Sequence, residues 1–284
     1  MRLNPFNTGN IRVQSTGGGG MGKAGGLGCG TIIIAALGYF FFGLDPFQTA
    51  QTVDAVQNRG GTVAEGQVST DEQSLCTSND YATETCNALE SLNTTWAQIF
   101  REQDVSGFQQ PTLDFPSARR FNTACGPAST GMGPFYCPGN QTIYIDTAFY
   151  DQLAQMSGDR GDFARLYVVA HEYAHHVQTL VGVSQQVRSV QQQRPDLANQ
   201  LNVRLELQAD CYAGVWAARN RNLIEPGDIE EGMAAAAAIG DDTLTRGRAN
   251  PESFTHGTSR QRMEALRSGL QGNEARCDQY TQVS

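Results

Sequence analysis

Between Val168 and Val177 the chain reads Val-Val-Ala-His-Glu-Tyr-Ala-His-His-Val, an apolar run carrying His171, Glu172, His175 and His176. The length and apolar content of the surrounding stretch predict a helix from Phe163 to Leu180. On a helix, residues four apart share a face. His171 and His175 therefore project side by side, where two imidazoles can take two corners of a tetrahedral zinc. Glu172 stands about 100° further round the helix. From there it reaches a water at the metal and not the metal itself, which is the position of a general base.

A second stretch, Leu205-Glu206-Leu207-Gln208-Ala209-Asp210-Cys211-Tyr212-Ala213, also reads as helix. Glu206 and Asp210 lie four apart on one face. Glu206 can be the third protein ligand, leaving the fourth corner open for water. Asp210, one turn on, can accept the free ring N–H of a ligating histidine and fix its tautomer. A solvated helix face is the plainer reading of two carboxylates. However, Leu205, Leu207, Ala209 and Cys211 make this a mostly buried helix, and buried carboxylates need partners. The spacing from His175 to Glu206 fits a helical hairpin that brings the two stretches together.

The chain has four histidines, and the one outside the first motif is His256, in Phe254-Thr255-His256-Gly257-Thr258-Ser259, with Arg262 six residues on. This order resembles gluzincin metallopeptidases of the group that includes the CaaX prenyl proteases and the HtpX-like membrane proteases. With Cys125-Gly126-Pro127, then Gly133-Pro134-Phe135-Tyr136-Cys137-Pro138, and His256-Gly257-Thr258-Ser259, the chain is most similar to the bacterial "putative neutral zinc metallopeptidase" family, also called YpfJ-like. Gly257 stands where the HtpX-like group usually has Pro.

The resemblance implies an α+β, mainly helical, zincin-like metallopeptidase domain with a small sheet. It implies Zn²⁺ as cofactor, held by His171, His175 and Glu206. Glu172 would be the catalytic base, and His256 with Arg262 would stabilise the oxyanion. It also implies that an edge strand, Gln141 to Ile145, takes substrate backbone by strand addition. His176 and Tyr173 read as packed core residues.

Composition sets the surroundings. The net charge is −9, which leaves no basic face for phosphates and excludes nucleic acid as a partner. Residues 1–23 are polar and Gly-rich and read as a disordered cytoplasmic tail. Ala24 to Leu44 has no charged residue and reads as a single transmembrane helix preceding the domain. Arg2, Arg12 and Lys23 lie before it, and Asp45 and Asp54 after it. By the positive-inside rule the N-terminus is cytoplasmic and the catalytic domain extracytoplasmic, periplasmic or extracellular. Residues 45–80 read as a stem and 81–284 as the metallopeptidase domain. Cys76, Cys86, Cys125, Cys137, Cys211 and Cys277 form an even set, which in an exported domain suggests disulfides. Proximity favours Cys76–Cys86 and Cys125–Cys137, leaving Cys211–Cys277. The paired Asp241-Asp242 reads as a turn, and Thr258 or Ser259 as the cap of a last helix.

The expected function is a membrane-anchored zinc endopeptidase acting on peptide or protein substrates. The alternative is a non-catalytic, zinc-stabilised, membrane-anchored scaffold. Glu172 speaks against the alternative, because a structural zinc site needs no base.

Overall fold

The computed structural model describes residues 1–17, 68–158 and 160–282. Besides short 3₁₀ turns, its elements are β1 (Val13–Thr16), β2 (Val68–Ser69), α1 (Glu72–Cys76), α2 (Asp80–Glu102), β3 (Thr112–Asp114), β4 (Arg120–Thr123), β5 (Gly126–Ser129), β6 (Phe135–Cys137), β7 (Thr142–Tyr144), α3 (Phe149–Ser157), α4 (Asp162–Leu180), α5 (Val183–Gln193), α6 (Ala198–Arg219), α7 (Asp228–Ala238), α8 (Asp241–Leu244) and α9 (Ser259–Gly269). The domain is mainly helical with a small sheet, as expected. Helix α4 is apolar on nearly all sides and accordingly lies at the centre, packed by α2, α6 and α7. Helix α2 starts where the Asn79 side chain accepts from the Ala82 N–H. It buries Cys86, Leu89, Leu92, Trp96, Ile99 and Phe100 at helical spacing.

The closest helix pair is α6 with α9, and glycine makes the approach. A Cβ on Gly214 would lie 2.3 Å from the Leu266 carbonyl oxygen, and one on Gly269 1.8 Å from that of Cys211. Any larger residue at either position would push the helices apart. The Cys211–Cys277 disulfide joins α6 to the segment after α9, Cys76–Cys86 joins α1 to α2, and Cys125–Cys137 joins the β4–β5 hairpin to β6.

The sheet order is β2-β1-β3-β7-β6. Strands β1, β3 and β7 run parallel, and β2 and β6 pair antiparallel at the two ends. Strand β7 is therefore interior, flanked by β3 and β6, and all three of its residues are buried. The Gln141–Ile145 stretch has no open edge to offer a peptide. Among the described residues, β6 pairs with β7 alone, and the free edge near α4 belongs to β6.

Residues 1–17 correct the expectation of a disordered tail. Met1, Ile11 and Val13 are 3–4% exposed and belong to the main core. The Met1 ammonium donates to Asp162 and to Asp228 at 2.9 Å each. Asp114, fully buried on β3, clasps β1: it accepts from the Thr16 N–H at 3.0 Å, the Thr16 hydroxyl at 2.5 Å and the Gln14 amide at 2.7 Å. Averaging composition over 1–23 hides this, because the glycine run begins only at Gly17 and the Ile11-x-Val13 alternation of a strand precedes it. At the other boundary, residues 68–80 of the supposed stem belong to the domain, with Cys76 fully buried.

The single-pass topology is overturned on the same ground. The proposed span, residues 24–44, lies outside the described residues. Among the described residues no helix is long and apolar enough to cross a membrane. Residues 1–17 and 68–282 share one sheet and one core. One crossing between them would put these two parts on opposite sides of a bilayer, which strand pairing at a spacing of about 5 Å forbids. A cytoplasmic N-terminus with an extracytoplasmic domain is therefore incompatible with the fold.

The Asp114 clasp can be tested. Asp114→Ala leaves the Thr16 N–H without its acceptor and is expected to cost about 2–3 kcal/mol of stability. Amides of residues 11–16 should then exchange faster with deuterium while zinc content is unchanged. Unaltered exchange at those amides would show that β1 is held without the clasp.

Candidate metal centre

Helices α4 and α6 bring His171, His175 and Glu206 together. His171 Nε2 lies 3.0 Å from Glu206 Oε2, and His175 Nε2 lies 3.4 Å from Glu206 Oε1. One ligand atom from each residue falls within 4.8 Å of the other two. His171 and Glu206 are buried while His175 is half-buried, so the cluster opens on the His175 side. Asp162, Asp228 and Glu231 form another such group, but Asp162 and Asp228 already hold the Met1 ammonium.

The remaining imidazole nitrogens are held from behind. His171 Nδ1 is 2.8 Å from Asp210 Oδ1, and His175 Nδ1 is 2.9 Å from Gln178 Oε1. Oxygen acceptors at both Nδ1 atoms put the protons there and leave both Nε2 atoms to face Glu206. Gln178, fully buried, is itself fixed by donating to the Leu205 carbonyl at 2.8 Å and to Gln208 Oε1 at 3.0 Å. The electrostatics favour a cation. Burial works to lower His171, but the charge and hydrogen bonds of Asp210, with the Glu206 hydrogen bond, push it up to about 9. His175 is raised in the same way, the Glu206 charge outweighing its burial. Burial would raise Glu206, yet the two imidazoles hold it well below the usual carboxylate range. Two imidazoles and one carboxylate, converging in a place that stabilises positive charge, match the donor set of a zinc site with an open corner.

Asp210 is fully buried and accepts four hydrogen bonds. They come from His171, from the Tyr167 hydroxyl at 2.5 Å, and from Arg262 Nε and Nη2 at 2.9 Å each. Arg262 is 2% exposed and also donates to the Ile239 carbonyl through Nη1. It sits behind His171, committed to Asp210, and not at the open side. The oxyanion role expected for Arg262 is corrected accordingly: a buried carboxylate needs a cation, and the close α6–α9 approach delivers this one.

His256 lies on the loop before α9, whose cap is a Thr258–Gln261 capping box. Its Nδ1 is 3.1 Å from Asp241 Oδ1. The other oxygen of Asp241 accepts the backbone N–H groups of Thr255, His256 and Gly257 at 2.7–3.0 Å. Asp241, expected as a turn residue, thus builds the histidine loop. Gly257 adopts φ +88°, and a Cβ there would meet Val203 Cγ1 at 3.2 Å and Leu207 Cδ2 at 3.5 Å. The loop therefore rides on the part of α6 that carries Glu206. Nε2 of His256 has no hydrogen-bond partner among the described residues.

Glu172 is 8% exposed and makes no hydrogen bond among the described residues; its burial raises its carboxyl. His176 is fully buried outside the cluster, and desolvation pushes it down to about 4. Tyr173 donates to Asn93 at 2.9 Å in the core. Three supporting residues escaped the sequence reading: Gln178, Tyr167 and Asp241. Gln178 is three residues after His175 and Tyr167 four before His171, so helical spacing carried a signal for both. Asp241 carried none, since only the fold brings it to His256.

Comparison with known proteins agrees with this chemistry. A profile of the family described as "Putative neutral zinc metallopeptidase" matches residues 7–280. "Uncharacterized protein YpfJ" of Escherichia coli (strain K12) is 39% identical over 257 residues, covering 88% of this chain and 84% of that one. "Uncharacterized protein Rv2575" of Mycobacterium tuberculosis is 41% identical over 208 residues, covering 67% of this chain and 68% of that one. No solved structure matches.

Gln178→Leu should weaken zinc binding about 10–100-fold, as read by competition with a chromogenic chelator, because His175 loses the partner that holds its tautomer. Glu206→Ala should lose most of the metal. Full zinc occupancy in Glu206→Ala would mean that another residue is the third ligand.

Proposed function

From a chain that belongs to the "Putative neutral zinc metallopeptidase" family, we infer an endopeptidase that hydrolyses internal peptide bonds with zinc as its cofactor. The observation that carries this reading is Glu172. It is a buried carboxylate with no hydrogen-bond partner among the described residues, one position from a ligand histidine. A structural zinc site has no use for a carboxylate that stands beside the metal-site histidines without a hydrogen bond of its own.

His171, His175 and Glu206 would hold the zinc, which when bound would supply a Lewis acid for water and the scissile carbonyl. Glu172 accepts one proton from the attacking water as the new C–O bond forms. It passes that proton to the amide nitrogen as the C–N bond breaks, leaving a carboxylic acid and an amine. Asp210 and Gln178 hold the Nδ1–H groups of the two histidines, which keeps their Nε2 lone pairs turned to the ligand position. Arg262 and Tyr167 keep Asp210 in place and ionised. His256 is fixed through its Nδ1–H by Asp241, and with both ring nitrogens protonated its Nε2–H donates to the carbonyl oxygen as negative charge develops there. Substrate backbone lies along the free edge of β6, since β7 is interior.

A quenched-peptide or casein assay with zinc-loaded protein tests this. Glu172→Gln should keep its zinc and its peptide binding and lose roughly 10²–10⁴-fold in turnover. His256→Ala should lose roughly 10²–10³-fold in kcat with zinc unchanged. Wild-type turnover that survives both changes would overturn the assignment. Loss of zinc in His256→Ala would make that residue a ligand.

A further inference from the structure

His176 follows the ligand His175 directly, about 100° further round α4 and outside the metal cluster, and both of its nitrogens are engaged. Nε2 is 2.7 Å from the Gln109 carbonyl oxygen, and Nδ1 is 3.0 Å from the Tyr136 hydroxyl. A carbonyl can only accept, so Nε2 carries the proton. Nδ1 is then a lone pair and accepts the Tyr136 O–H. This tautomer is the reverse of the one at His171 and His175. The rings of Tyr136 and His176 meet edge to face at 5.5 Å, and Tyr173 closes on His176 at 5.8 Å.

The partners of His176 give this contact its consequence. Tyr136 is the middle residue of β6, which among the described residues has a free edge on the side near α4. Gln109 lies in the segment entering β3. One side chain of the metal-bearing helix therefore ties that helix to the sheet at two points, and one of them is the strand available to substrate. The Cys125–Cys137 disulfide and the ring stack of Phe121, Phe135 and Tyr144 hold β6 on its other side. A peptide added to β6 takes its position from the β6 backbone, so the distance from its scissile carbonyl to the metal centre depends on how β6 sits over α4. Misplacement by about 1 Å can cost on the order of 10²-fold in rate.

We propose that His176 and Tyr136 are positioning residues: their hydrogen bond sets the height and register of β6 over the metal centre, so that an extended peptide on β6 meets the metal. The proposal rests on the peptidase reading given above. Its test uses two zinc-directed probes on the full zinc-loaded chain, a peptidyl hydroxamate long enough to pair along β6 and acetohydroxamate, which cannot reach it. Wild type should bind the long probe far more tightly. Tyr136→Phe, which deletes only the hydroxyl, should cut the affinity for the long probe by about 10–100-fold and leave acetohydroxamate binding and zinc content unchanged. His176→Leu should do the same. His176→Gln, which keeps one acceptor and one donor, should restore much of the preference.

A purely structural role would weaken both probes together, or neither, and either result overturns the proposal. So does a wild type that binds the two probes equally, or a Tyr136→Phe variant that keeps the full preference. Peptide turnover is scored separately. A wild type that cleaves nothing but loses its long-probe preference in Tyr136→Phe refutes the peptidase reading and leaves the positioning role standing.

Discussion

The structure turns on the buried carboxylate of Asp210. It takes hydrogen bonds from His171 on α4 and Arg262 on α9, with Tyr167 adding a third donor. A lone ionised carboxylate in this position would be strongly destabilising, whereas a paired and fully hydrogen-bonded one is held firmly. The same group joins three helices and orients His171 of the candidate metal site, so stability and the site's geometry share it. Removing either charge of the Asp210–Arg262 pair would leave the other buried and unpaired, which costs several kcal/mol in comparable pairs.

Two features make that cluster possible. Gly214 and Gly269 let α6 and α9 approach until backbone meets backbone, which carries Arg262 to Asp210. The loop before α9 is then gathered by Asp241, whose carboxylate takes three consecutive backbone N–H groups and the His256 ring. Each histidine of the chain is thus fixed through one or both nitrogens. Asp210, Gln178 and Asp241 hold Nδ1 of His171, His175 and His256, while the Gln109 carbonyl and Tyr136 hold the two nitrogens of His176. The hydrogen-bond partner decides the tautomer, and the tautomer decides which nitrogen faces outward.

Much of the metal centre was legible in the chain because its signals are local. His171, Glu172 and His175 are read from helical periodicity, and Glu206 with Asp210 from a buried helix that carries two carboxylates. The three cysteine pairs followed from proximity and remainder. Arg262 was legible as a residue of the site but not in its role, because its partner Asp210 lies on another helix. Asp241 looked like any turn aspartate. The strand at Gln141–Ile145 was found, but a strand's place in a sheet depends on pairing with distant segments. Here β3 and β6 enclose it.

The amino-terminal residues mark the boundary most clearly. A charge-free apolar stretch with basic residues before it and acidic ones after it determines, as sequence, only that such a stretch exists. Which side of it each flank occupies is set by long-range contacts. Val13 and Gln14 pair with Leu113 and Asp114, and that pairing cancels the single-pass topology. The sequence by itself marked the candidate residues His171, Glu172, His175 and Glu206 and the two helices that carry them, because each signal is local to its own helix. The tertiary structure alone decided the partners of Asp210 and His256, the strand with the free edge, and the place of residues 1–17, because each depends on groups far apart in the chain meeting in a dry interior.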